Sequence, residues 1–263
     1  MESDEEWGGG QWTDDEPDDP DYVRLLRSVR MGDVAEVRRL LDAGLDVNSK
    51  SAYDRTVLFD ADLAVAQLLV ERGADVHAKG DGGRTALHSA ARSNRLGVMK
   101  LLLEKGADAD EKNNAGKTAL HDTVHSRSLD AADLLLGMGA DVNAQDNEGI
   151  TALHCWAVGV ASREGYLAFM ELLLEKGADV NVQDKDGRTP LHRAVLVNRP
   201  DVADLLLEKG ADANVKNNDG DTALHVTAKR GYSAVVDVRL RQERIEVNAT
   251  DKNRGTPLHW SAA

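Results

Sequence analysis

One cysteine, two phenylalanines and five prolines in 263 residues remove several architectures at once. The single thiol, Cys155, excludes an internal disulfide and fits a reducing compartment. Aromatics make up only 4% of the chain, so any core has to be built from aliphatic side chains. No apolar run approaches the roughly 20 residues that cross a bilayer, and the N-terminus lacks a basic-then-apolar signal pattern. Basic residues are outnumbered 46 to 32, giving a net charge of −14. Phosphates would be repelled, which disfavours nucleic acid or an anionic membrane as the main partner. Together these absences predict a monomeric, unanchored protein of the cytoplasm or nucleus.

The negative charge is concentrated. Residues 1–21 hold ten of the acids and no Lys or Arg, so −14 divides into −10 for this stretch and −4 for the other 242 residues. The same stretch contains Gly8-Gly9-Gly10, Pro17 and Pro20, and has almost nothing to bury. It cannot offset its ordering entropy and is expected to be a disordered tail. Two roles fit it. One is a solubilising leader; the other is an electrostatic arm for a basic segment of a partner or of the array itself. Ser3 and Thr13 stand before acidic runs that suit an acidophilic kinase, which would add further charge.

Beyond the tail the chain repeats itself. Thr-x-Leu-His recurs at Thr85, Thr118, Thr151, Thr189, Thr222 and Thr256, with a weaker Thr-Val-Leu-Phe at Thr56. The intervals are 29, 33, 33, 38, 33 and 34 residues. A Leu-rich run closing on Gly-Ala-Asp keeps the same beat at Gly73, Gly106, Gly139, Gly177 and Gly210, and Gly44-Leu-Asp is an earlier variant. A period near 33 with Thr-Pro-Leu-His-x-Ala phrasing resembles the ankyrin repeat. The resemblance covers about residues 22–263. It implies an all-α solenoid of stacked helix–turn–helix units with projecting β-type turns. The phrases divide the chain into a tail, 1–21, and an array, 22–263. The array reads as a degenerate cap unit 22–50, a short unit 51–84, and units 85–117 and 118–150. There follow unit 151–188 with an insertion, units 189–221 and 222–255, and a half-unit 256–263.

One copy shows why the phrases are needed. Thr189 can cap a helix start and Pro190 suits a first helical position. Leu191 and Ala194 give the first helix its apolar stripe. Pro200 and Asp201 open a second helix, which buries Val202, Ala203, Leu205, Leu206 and Leu207. Gly210 ends it in a left-handed conformation, and Asn217–Gly220 form a turn. No unit can bury both helices alone, so neighbours must stack. Glu36 and Arg39 replace apolar residues of later copies such as Val98 and Leu101, as a polar N-terminal cap requires. The last copy stops after Trp260-Ser261-Ala262-Ala263, which leaves a natural half-unit cap or a longer parent as readings. Two copies read as weak: 56–73, with Phe59 for His, and 222–248, with Arg239, Glu243 and Arg244 in apolar or Gly-Ala places.

Chemistry is sparse. Six of eight histidines hold the fourth place of the phrase, where each is expected to tie a helix start to a neighbouring turn. His77 stands where other copies have Asn and reads as a turn residue. His125 reads as exposed on a first helix. Cys155 with distant histidines makes neither a zinc site nor a nucleophile–base pair. Gly80–Gly83 is a repeated turn without the Lys-Ser/Thr of a phosphate loop. No cofactor, metal or catalytic residue is expected.

Function therefore falls to the surface. The resemblance implies binding of another protein along a concave side made of turn tips and first helices. The candidate contacts are Arg84, Lys117, Ile150, Arg188 and Asp221 at the tips. On the first helices they are Asp122, His125, Cys155, Trp156, Arg193 and Trp260. Trp156 stands where other copies have Ala, Thr or Ser, beside an insertion, Val158–Glu164, expected between the two helices of its unit. It either packs that insertion down or forms a recognition feature with it. Two functions stay open: a non-catalytic adaptor, scaffold or inhibitor, and the targeting part of a longer enzyme or channel whose active portion lies beyond Ala263.

Overall fold

Each recurrent Thr-x-Leu-His phrase starts a helix, because threonine stops the chain in an extended conformation and the histidine three residues on closes the first turn. The computed structural model describes residues 20–158, 163–232 and 245–261. Its helices are α1 (Pro20–Arg30), α2 (Val34–Asp42), α3 (Leu63–Glu71), α4 (Ala86–Arg92), α5 (Leu96–Glu104), α6 (Ala119–Ser126) and α7 (Leu129–Gly137). They continue as α8 (Ala152–Ala157), α9 (Arg163–Glu175), α10 (Pro190–Leu196), α11 (Pro200–Glu208), α12 (Ala223–Arg230) and α13 (Pro257–Ser261). Among the described residues β-pairing amounts to two isolated bridges, Lys50–Thr56 and Lys79–Thr85. The first helix packs on its own second helix and on the first helix of the next unit, as in α4 on α6 and α10 on α12. The result is the all-α stack of helix pairs with projecting turns that the repeats predict.

Helix α1 begins at Pro20, two residues inside the stretch expected to be tail; the other tail expectations fall on 1–19, outside the described residues. The weak second helix expected around Arg239, Glu243 and Arg244 also lies outside them.

The core is one continuous aliphatic column. Leu87, Leu120, Leu153 and Leu191 from the phrase are at most 1% exposed, and Leu102, Leu135, Leu173 and Leu206 of the second helices are fully buried. Helix α2 presents Arg39 outward, paired with Glu36 at 2.6 and 2.7 Å, a polar outer surface at the N-terminal end. Helix α11 ends as glycine dictates: Gly210 has φ +93°, and Gly210 and Ala211 N–H groups donate to Leu207 and Leu206 carbonyls.

The turn tips join into a ladder. Asn147 N–H donates to Ala115 O, Lys185 N–H to Glu148 O and Asn218 N–H to Asp186 O, each at 2.9 Å. This approach is close. At Gly149, with φ +76°, a Cβ would lie 3.0 Å from Asp184 Cα and Lys185 N. Behind the tips, asparagines clasp the loop of the next unit: Asn143 donates to Gly177 O at 3.2 Å and accepts from Asp179 N–H at 2.8 Å. Asn48 does the same to Gly73 and Asp75. His77 holds the corresponding turn position, its N–H bonded to Asp75 Oδ1 at 2.9 Å, but its ring makes no such clasp among the described residues.

Unit 51–84 departs from its neighbours for a visible reason. Its first helix shrinks to a single 3-10 turn, Val57–Phe59. With Phe59 in the histidine place, the buried Thr56 hydroxyl is left without a hydrogen-bond partner. Arg95 of the next unit repairs the truncated turn, its guanidinium donating to Phe59 O at 2.6 Å and Ala61 O at 2.8 Å.

Two stability outcomes follow, both read by urea unfolding. Leu206→Ala should cost about 2–5 kcal/mol, because a fully buried leucine leaves a cavity. Thr118→Val should cost about 1 kcal/mol through the lost cap, whereas Thr56→Val should be neutral or slightly stabilising, because its hydroxyl bonds nothing. Equal losses at the two threonines would contradict this account.

Candidate functional site: the first-helix face and its turn tips

The side chains of this face are positioned by the histidines beneath it. In five units Nδ1 accepts from the backbone N–H of its own threonine, at 3.1–3.2 Å for His88, His121, His154, His192 and His225. That leaves Nε2–H to donate to the carbonyl of the residue just before the next phrase threonine: Lys117 and Ile150 at 2.9 Å, Arg188 and Asp221 at 3.0 Å, Gly255 at 3.1 Å. A carbonyl can only accept, so these imidazoles are neutral and protonated at Nε2. Burial holds His88 and His121 below the ordinary histidine pKa and takes His154 down to about 4. His259 bonds Thr256 in the same way at 3.1 Å but is itself exposed.

Each clasp fixes the residue preceding the next threonine by its carbonyl and leaves its side chain to the surface. Arg84 reaches forward to Asp122 at 2.6 Å, and Arg92 flanks the same carboxylate at 3.7 Å. Arg193 donates through Nε and a terminal nitrogen to Asp184 at 2.9 and 2.8 Å. Arg188 pairs with Asp186 at 2.9 Å. Lys229 bridges Asp221 at 2.7 Å and Asp251 at 3.2 Å. Trp260 donates to Asp251 at 2.9 Å and lies 4.6 Å from the Lys229 ammonium, a cation–π contact.

The expected contact residues therefore separate. Lys117 and Cys155 are half-exposed and His125 is exposed. Arg84, Arg188, Arg193 and Trp260 are half-exposed and already engaged with neighbours. Four expectations need correction. Asp122, Asp221 and Ile150 are buried, the two carboxylates held by their cations. Trp156 is 1% exposed and stacks on Phe169 at 3.9 Å, so it is core rather than a recognition residue. Its stacking partner belongs to the second helix of the unit. Helix α9 runs 13 residues against nine in α5, α7 and α11. Arg163 and Glu164 of the expected interhelical insertion thus belong to α9, and 159–162 lie outside the described residues.

Nucleophilic chemistry at Cys155 is disfavoured, since burial pushes its thiol up to about 11. Among the described residues no three His, Cys, Asp or Glu side chains gather as metal ligands, and no helix is long and apolar enough to cross a membrane. The sequence marks Asp184 only as a turn former and gives Arg92, Lys229 and Asp251 no role. The signal is there for Arg92 and Lys229: both stand seven residues after a phrase threonine, the place that His125 holds in its own unit.

The family model described as "Ankyrin repeats (3 copies)" matches at residues 62–146, 138–217 and 209–263, and the chain belongs to the ankyrin repeat family. Members of this family are typically non-catalytic and generally serve as protein–protein interaction modules. A search of curated proteins finds no match to this chain.

The clasps make stability depend on pH. The folded pKa of His88, His121 and His154 lies below the unfolded value of about 6.5, with His154 down to about 4, so the unfolded chain binds more protons across this range. Their contribution should be complete above pH 6.5 and lost as pH falls towards 4, with roughly 3 kcal/mol at stake for His154. Urea midpoints measured from pH 7.5 to 4.5 should fall, and fall less steeply in His154→Gln. An unchanged slope in the variant would refute the assignment.

Proposed function

We propose that the array is a non-catalytic protein-binding module, acting as a monomeric adaptor, scaffold or inhibitor. It reads its partner with the face built from turn tips and first helices. The observation that carries this reading is the division of labour at each junction. The clasp uses only the backbone carbonyl of Lys117, Ile150, Arg188, Asp221 and Gly255, whereas the phrase residues Thr, Leu and His are spent on caps and core. The neighbouring fourth position after each threonine changes from Ser89 to Asp122, Cys155, Arg193, Val226 and Trp260. A scaffold held constant beneath side chains that vary freely is what partner reading needs.

The full chain, immobilised and exposed to native lysate, should retain a partner. Hydrogen exchange of that complex should show protection in α4, α6, α8 and α10. Protection confined to the second helices α5, α7 and α11 would remove the first-helix face from the reading.

A further inference from the structure

Along the first-helix face the residue before each threonine and those four and seven places after it form one continuous strip. From units 51–84 and 85–117 it receives Arg84 and Arg92, both paired with the single buried carboxylate Asp122, and Lys117 at the following tip. Three cations thus stand at these positions against one anion. The fields of Arg92, Lys117 and Arg84 all reach the exposed His125, opposed there by that of Asp122. The Lys117 ammonium has no ion-pair partner among the described residues, and its field extends to Cys155 of the next unit.

From Cys155 onward the strip turns apolar. Val158, Leu196 and Val226 are half-exposed, and Val197, which adjoins the strip as the residue after Leu196, is 42% exposed. The cations at this end are closed: Arg193 by Asp184, Arg188 by Asp186, and Lys229 by Asp221 and Asp251. Open positive charge is therefore confined to one side of an apolar stretch, on a chain whose net charge is −14.

We propose that this strip binds an extended segment of a partner protein in which several carboxylates are followed by apolar side chains. The carboxylates lie against Arg84, Arg92 and Lys117, and the apolar residues against Val158, Leu196, Val197 and Val226. The proposal rests on the protein-binding reading and names the chemistry of the partner. Charge complementarity carries it: a basic segment would meet an uncompensated excess of like charge. A nucleic acid would find no open cation of the strip for its phosphates beyond Lys117.

The test uses the full chain and a fluorescein-labelled peptide in which a run of glutamates precedes leucines and valines. Comparison peptides carry lysine for glutamate or serine for the apolar residues, and a single-stranded DNA oligomer provides the other polyanion. The acidic–apolar peptide should bind at least about tenfold more tightly than any of the three. Lys117→Glu and Val197→Asp should each weaken it several-fold at unchanged melting temperature, the first with a smaller salt dependence. Equal binding of the lysine peptide or the oligomer, or unaltered affinity in both variants, would overturn the proposal. Binding that appears only after residues 1–19 are deleted would make the chain's own acidic segment the occupant, and the outside partner would fall. A native partner mapped to α4–α10 by exchange while the acidic–apolar peptide fails to bind would leave the broader function standing and this inference refuted.

Discussion

A neutral imidazole shared between two units is the contact on which the rest of the array depends. It receives the threonine N–H that a helix start would otherwise leave unsatisfied, and spends its own proton on the carbonyl that leads into the next unit. Both bonds are buried, so leaving either unmade would strand a polar group away from water. Local helix initiation and long-range stacking are thereby tied to one side chain. The unit that lacks it shows the cost of the alternative: a helix cut to one turn, an idle hydroxyl, and an arginine borrowed from next door.

Much of this was legible in the sequence because it recurs. Thr85 and Thr118 as caps, Leu135 and Leu206 as core, Pro190 and Pro200 as helix openers and Gly210 as a stop all follow from spacing, since each repeats a local demand every 33 residues or so. Features that occur once could not be read that way. Arg84 and Asp122 are 38 residues apart and belong to different units, so nothing local marks them as a pair. Arg95 answers a defect 36 residues earlier in the chain. Trp156 looked too large for its slot because the compensating change, Phe169 on a longer second helix, sits in the other half of the unit.

The same limit explains why the surface was over-read. Position alone suggests that a charged residue on the outer edge of a first helix is available. In the array those charges sit close enough to neutralise one another across unit boundaries, and burying a carboxylate among arginines is tolerable only when both sides are satisfied. Asp122, Asp184 and Asp251 each hold a cation in place. What remains open is decided by which units lack a counter-charge, which is a property of neighbours rather than of any one repeat.

Because each clasp ends on a backbone atom, its bonding rules are indifferent to which unit comes next. Removing residues 118–150 as a block would bring Thr151 directly after Lys117, and the Lys117 carbonyl would still stand before the His88 ring. A deletion that cut into a phrase would remove a threonine or histidine and leave a donor stranded. The array is thus written in interchangeable words, and its length can grow or shrink by whole units without rewriting the junctions. Each such insertion or loss would shift the surface strip by one unit while leaving the hydrogen bonds beneath it unchanged in kind.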